Sequence, residues 1–238
     1  MQPTFKEFHR RSVLTLAMAA GSLVTMSAGS ISAAEEEKEG GEDVSAIEDL
    51  MREHGVLRRT LNVYSEVAER LRAGAEVDFS ALADATRLFR DFGEDYHEQM
   101  LEETYIFPEV LKAGGSNARL VEVLLLQHER GRSITAYIER EATRASPTAR
   151  AGTLADALSS FVRMYNAHSA WEDTVLFPAW KAAQSKHRLE ELAEKFEDIE
   201  HEKFGKDGFE NAVARVTRIE GAFGLRDLSQ FTAPPPPE

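Results

Sequence analysis

Four histidines punctuate this sequence 43, 31 and 40 residues apart: His54, His97, His128 and His168. Imidazole nitrogens in a protein interior serve as hydrogen-bonding core groups, as acid–base groups or as metal ligands. Carboxylates stand beside two of them in a repeated frame. Residues 102–108 read Glu-Glu-Thr-Tyr-Ile-Phe-Pro and residues 172–178 read Glu-Asp-Thr-Val-Leu-Phe-Pro, an offset of 70. Glu53-His54-Gly55 echoes Gln127-His128-Glu129 at an offset of 74. His168 and Glu172 are four residues apart, one helical turn on one face. His97 and Glu102 are five apart, one too many for a regular helix, so a π-bulge is expected between them. Without a bulge, Glu98 and Glu103 would replace Glu102.

Long helices must carry these residues. Residues 44–72 show an apolar stripe at spacings of three and four: Ile47, Leu50, His54, Leu57, Leu61, Tyr64, Ala68 and Leu71. Ala73-Gly74-Ala75-Glu76 breaks it. A second helix is expected from about Ser80, capped by Asp78 or Ser80, to Lys112, ended by Gly114-Gly115-Ser116-Asn117. A third spans about 118–143, and Ser146-Pro147-Thr148 with Gly152 forms the next loop. A fourth spans about 154–183, with the stripe Leu154, Leu158, Phe161, Tyr165, His168, Glu172 and Val175. A fifth helix covers about 187–203 through Leu189, Leu192, Phe196 and Ile199. A last segment covers 208–222. The predicted fold is all-α: an antiparallel up-down-up-down four-helix bundle with additional C-terminal helix.

The bundle arranges the histidines. The midpoints of consecutive histidines fall at 75.5, 112.5 and 148, on or beside the three turns. In an antiparallel bundle, residues equidistant from a turn lie side by side, so all four imidazoles share one layer. Neighbouring axes are about 8–10 Å apart, close enough for inward side chains to meet. Four buried neutral imidazoles without partners are costly, and a metal satisfies them. Glu102 and Glu172 lie one turn beyond the layer, placed to bridge two ions. The expected ligands are therefore His54, His97, Glu102, His128, His168 and Glu172. Nitrogen and carboxylate donors suit iron, manganese or zinc, and a bridged pair favours two irons.

Composition removes other classes. The 238 residues carry 28 Lys plus Arg and 41 Asp plus Glu, net −13, which argues against a nucleic-acid partner. With no cysteine, disulfides, thiolate zinc sites and cysteine-ligated clusters are excluded. The Glu-x-x-His motif of ferritin-type sites occurs once, as Glu94-Asp-Tyr-His97. Residues 1–34 read as an export leader: a charged start, an Ala-, Gly- and Ser-rich apolar stretch, and Ser32 and Ala34 at positions −3 and −1 of a cut before Glu35. Arg10-Arg11 followed by Leu14 resembles a twin-arginine signal, with His9 and Val13 departing from its pattern. The stretch has too many small and polar residues for a membrane span. Without the leader the net charge is −15, and the location is periplasmic or otherwise exported. Residues 35–43 form an acidic linker, 44–183 the bundle, 184–228 a C-terminal helical extension, and 229–238 a Pro-rich tail.

This constellation resembles the hemerythrin-like, HHE cation-binding family over about 44–183. The carriers are His54 in Glu-His-Gly, His97 with Glu102-Glu103 and Phe107-Pro108, His128 in Gln-His-Glu, and His168-x-x-x-Glu172 with Phe177-Pro178. The resemblance implies a four-helix bundle around non-haem iron, two per chain, that engages dioxygen, nitric oxide or peroxide. The alternatives are a ferroxidase or peroxidase, and an interaction bundle whose histidines bind no metal. The stretch from Phe196 to Gly205 resembles an extension of exported members. Oxygen carriers place a second histidine one turn after the third-helix histidine, where this chain has Arg132, which would cover one iron or face solvent. Their fourth-helix pattern is His-x-x-x-x-Asp, so Asp173 is a substitute for Glu172. His187 and His201 are read as structural or surface residues. Tyr96 and Tyr165 are hydrogen-bond donors to the ligands or core, core being the preferred reading. Trp171, Phe107 and Phe177 are read as packing that keeps the site dry.

Overall fold

The computed structural model describes residues 44–144 and 150–237, so the leader and the Ser146-Pro147-Thr148 turn lie outside the described residues. The described chain is all helical, in six helices. Helix α1 is Ala46–Ala73; the Ser45 side chain accepts from the Glu48 amide, and Gly74 closes it at φ +64. This left-handed geometry suits glycine. Helix α2 has three windings: α over Phe79–Leu88, π over Phe89–Ile106, and α over Phe107–Ala113. Asp78 caps its start through the amides of Ser80 and Ala81. Helix α3 is Gly115–Ala142. Helix α4 is α-wound over Ala151–Trp171, π-wound over Glu172–Leu176 and α-wound over Phe177–Ala182. Helices α5, Lys186–Phe204, and α6, Gly208–Phe223, follow.

Two glycines expected in turns are helical. Helix α3 starts at Gly115 rather than 118, and Gly152 lies inside α4. Both glycines are exposed and stand in a first turn, where packing on the rest of a long amphipathic helix outweighs the small cost of a glycine.

The π winding is longer than a single bulge and occurs twice. In both helices the amide of the phenylalanine before proline donates to the carbonyl five residues back: Phe107 to Glu102 and Phe177 to Glu172. Pro108 and Pro178 have no amide hydrogen, and their rings would press on the carbonyl four residues earlier. Widening the helix just upstream relieves that clash. It also keeps His97 and Glu102 on one face. In α4 it turns Val175 partly outward and buries Leu176 instead.

Helices α1, α2, α3 and α4 pack in a ring, α1 on α2, α2 on α3, α3 on α4 and α4 on α1, while α5 and α6 lie against α1 and α2. Every member of the α1 stripe is buried, as are Leu154, Leu158, Phe161 and Tyr165 of α4. Burying these apolar side chains is the main favourable contribution to folding. Arg59 ties α6 to α1 through Glu220, at 2.8 and 2.5 Å, and Thr217, at 2.8 Å. Among the described residues no helix is long and apolar enough to cross a membrane.

Candidate metal centre

The six residues singled out by spacing meet in the interior. His54, His97, Glu102 and Glu172 are fully buried, and His128 and His168 are 1% and 2% exposed. The imidazoles come in two facing pairs: His54 Nε2 lies 2.9 Å from His97 Nε2, and His128 Nε2 lies 3.1 Å from His168 Nε2. Both carboxylates span the pairs. Glu102 places Oε1 3.5 Å from His97 Nε2 and Oε2 3.4 Å from His128 Nε2. Glu172 Oε2 lies 3.4 Å from His54 Nε2 and 3.0 Å from His168 Nε2.

Each imidazole is gripped from behind. Nδ1 of His54 donates to Asp173 at 2.7 Å, Nδ1 of His97 to Glu53 at 2.6 Å, Nδ1 of His128 to Glu103 at 2.8 Å, and Nδ1 of His168 to Gln127 at 3.0 Å. These partners are acceptors, so they keep a proton on Nδ1 and make the inward Nε2 of each ring the position that binds metal. The arrangement is twofold. The residue before the α1 or α3 histidine (Glu53, Gln127) holds the histidine of the next helix. The residue after the α2 or α4 glutamate (Glu103, Asp173) holds the histidine of α3 or α1. Arginines brace the second set: Arg58 reaches Asp173 and Ser169, and Arg132 reaches Glu103 at 2.5 Å and Glu98 at 3.5 Å.

Several sequence expectations are corrected here. Arg132 is half-buried and turns its guanidinium to Glu103 and Glu98 rather than over the layer. Asp173 does not replace Glu172 but stands behind His54. Glu102 lies between the two imidazole pairs, whereas Glu98 and Glu103 gather on the Nδ1 side of His128. Trp171 is 55% exposed and does not seal the site, whereas Phe107 and Phe177 stack on His128 and His54 at 5.3 and 5.7 Å. Tyr96 and Tyr165 are buried, and the Tyr165 hydroxyl has no partner while its ring stacks on His168. His187 and His201 lie at the surface. The gripping residues Glu53, Gln127, Glu103, Asp173 and Arg58 were not singled out as such. Their signal was present, because Arg58 and Arg132 share the 74-residue offset of the histidines.

Charge in the layer is self-consistent. Burial works against a charged His97, but Glu102 and Glu53 outweigh it and hold the imidazole well above its ordinary value. Burial is likewise outweighed at His128 by Glu98, Glu102 and Glu103. Burial and the facing Glu172 would raise Glu102, yet His97 and His128 bring it below the ordinary range. Glu172 is lowered too, His168 and His54 overcoming its burial. His97 and His128 therefore tend to carry a second proton in the metal-free layer, and an incoming metal must displace it. Metal affinity is expected to rise with pH through the acid and neutral range, about tenfold per pH unit for each proton displaced. Metal titrations at several pH values check this; a flat profile would contradict it.

The donor set fits a metal. Both oxygens of Glu102 and both of Glu172 are buried without a hydrogen bond. Two Nε2 atoms facing each other at 2.9 Å need a shared proton or a metal ion between them. Two nitrogens about 2.1 Å from one ion and at right angles to each other lie about 3 Å apart, the spacing seen in both pairs. The groups His54–His97–Glu102 and Glu102–His128–His168–Glu172 each bring donor atoms within 4.8 Å of one another, with Glu102 common to both.

Outer partners of metal-binding histidines contribute about 10–100-fold to affinity. Glu103→Ala releases both His128 and Arg132 and is expected to weaken metal binding by that order. Competition with a chelator measures it, and an unchanged affinity would remove Glu103 from the centre.

An all-helical protein with a buried layer of histidines and carboxylates able to hold metal is the class these features define. The sequence profile of the hemerythrin HHE cation binding domain matches residues 45–179, and the chain belongs to that family. Family membership implies a metal cofactor. Uncharacterized proteins of Mycobacterium bovis and of two strains of Mycobacterium tuberculosis are 40% identical over 232 residues, covering 94% of this chain and 90% of theirs. No solved structure matches.

Proposed function

We propose that this chain is a non-haem di-iron protein of hemerythrin type that engages dioxygen or a related small molecule such as nitric oxide or peroxide. His54 and His97 would hold one iron and His128 and His168 the other, with Glu102 and Glu172 as the carboxylates shared between them. The ring of α1 to α4 is read as the antiparallel up-down-up-down bundle over 44–183, with 184–228 as its extension and 229–238 as a tail. Residues 1–34 are read as a twin-arginine-like leader that delivers the chain to the periplasm, and 35–43 as a linker.

The observation that carries this reading is the pair of facing Nε2 atoms on each side of two carboxylates with no hydrogen bond. Hard oxygen donors combined with imidazole suit iron. Bound there, iron would supply one-electron chemistry and a place for a small diatomic or peroxide. The protein's own work is to fix four imidazoles in one tautomer, to keep water away with Phe107 and Phe177, and to hold protons on the Nδ1 atoms. A cleft of about 160 Å3, lined by Leu120, Val123, Leu124, Ala167 and Trp171, opens from outside onto Gln127 and His168. Its apolar walls suit a small uncharged ligand.

The test is a reduced, anaerobic sample exposed in turn to dioxygen, nitric oxide and peroxide. Reversible spectral change with one of them supports a binding protein, and sustained consumption of peroxide assigns the oxidoreductase reading. A reduced, iron-loaded sample inert to all three would overturn the proposal.

A further inference from the structure

Behind His97, away from the layer, three carboxylates from two helices converge. Asp49 and Glu53 lie one turn apart on α1, and Glu200 comes from α5. Each offers an oxygen within 4.8 Å of the other two. Glu53 is fully buried; its Oε2 receives the His97 Nδ1 hydrogen at 2.6 Å, and its Oε1 is buried with no partner. The buried Tyr96 hydroxyl donates to Glu200 Oε2 at 3.5 Å, and the Phe209 amide donates to Glu200 Oε1 at 3.0 Å. Arg52 lies 3.4 Å from Asp49 Oδ1, with its guanidinium laid over the Phe209 ring at 4.2 Å, and the His97 imidazole sits behind Glu53. Glu210 adds a fourth carboxylate nearby and His201 faces Glu200, yet none of these groups reaches Glu53 Oε1, which stays without a partner. Burial, Glu53 and Glu200 push Asp49 up to about 7.

We propose that Asp49, Glu53 and Glu200 form a separate cation site for a divalent ion that takes oxygen ligands, of the Mn2+ or Ca2+ type. An all-carboxylate set with no nitrogen or sulfur donor selects such ions. The site uses no ligand of the histidine layer, so it stands or falls apart from the di-iron reading. Its consequence for that layer runs through one carboxylate. A cation on Glu53 draws electron density from the group that accepts from His97 Nδ1, and so lowers the donor strength of His97 Nε2. The same ion fastens α5 to α1, which gives the C-terminal extension a direct line to the centre.

Mn2+ is the probe, counted by the loss of the free-ion paramagnetic resonance signal in the full mature chain. Two backgrounds are used: iron-loaded wild type, and His54→Ala with His168→Ala, in which the histidine layer is disabled. One Mn2+ per chain is expected in each. Asp49→Asn and Glu200→Gln, introduced separately, should weaken it tenfold or more. The wild-type background carries the measurement if the double variant does not fold. Iron content reports the layer independently. Absence of Mn2+ binding in the folded backgrounds, or binding that both substitutions leave unchanged, would overturn the site.

Discussion

Replacing His54 and His168 together by alanine is expected to abolish iron binding in the histidine layer while the chain stays helical. One histidine is taken from each facing pair, so neither position keeps more than one nitrogen beside the shared carboxylates. Affinity should fall by more than the about hundredfold that an outer partner alone is worth. The helices survive because the stripe that packs them is apolar and extends over the whole of α1 and α4, from Leu50 to Leu71 and from Leu154 to Phe177. Metal analysis and far-ultraviolet circular dichroism report the two halves of this expectation. A double variant that still holds two metals per chain would place the centre elsewhere.

Stripping the metal from the unmodified chain is expected to produce the largest change in stability. A ligand present at a thousand times its Kd stabilises the folded state by about 4 kcal/mol, which for a chain of this size corresponds to a fall in Tm of about 10 °C on removal. The pH dependence of the stripped chain follows from its charges. His97 and His128 are raised in the folded state, so their stabilising contribution is complete below the unfolded value of 6.5 and is lost as pH rises through their folded values. Glu102 and Glu172 are lowered, so theirs is present above the unfolded value of 4.5 and is lost as pH falls through their folded values. These four groups therefore favour the metal-free fold most between about 4.5 and 6.5. Above that window protons leave the imidazoles while metal binding strengthens, so the gap between loaded and stripped Tm should widen. Paired thermal melts across this range measure it; a gap that narrows with rising pH would contradict the account.

What could be read from the sequence was whatever a single helix and its turns determine. The α1 stripe is periodic, and the turn midpoints place His54, His97, His128 and His168 at one level without any knowledge of packing. The five-residue step from His97 to Glu102 announced a wider helix there. It did not announce the second π segment at Glu172–Leu176, because His168 and Glu172 fit a regular turn and the widening begins only after them. The signal was Phe177-Pro178, the partner of Phe107-Pro108. The gripping residues were hidden for a different reason. Glu53 and Gln127 sit next to ligand histidines, and neighbours in a helix point about 100° apart, so each reaches the histidine of another helix. Only the assembled ring reveals that. Glu200 is further still from legibility, since nothing local to α5 relates it to Asp49 and Glu53. Trp171 was read as a seal because large aromatics are usually buried, and it instead forms an outer wall of the cleft beside His168.

The central claim is that two irons occupy the layer formed by His54, His97, His128, His168, Glu102 and Glu172. Metal content together with the optical spectrum of the aerobically purified protein tests it most directly. The account predicts two irons per chain with near-ultraviolet charge-transfer absorption, both lost in the His54→Ala, His168→Ala chain. One zinc per chain, or a metal-free protein with undiminished thermal stability, would contradict it.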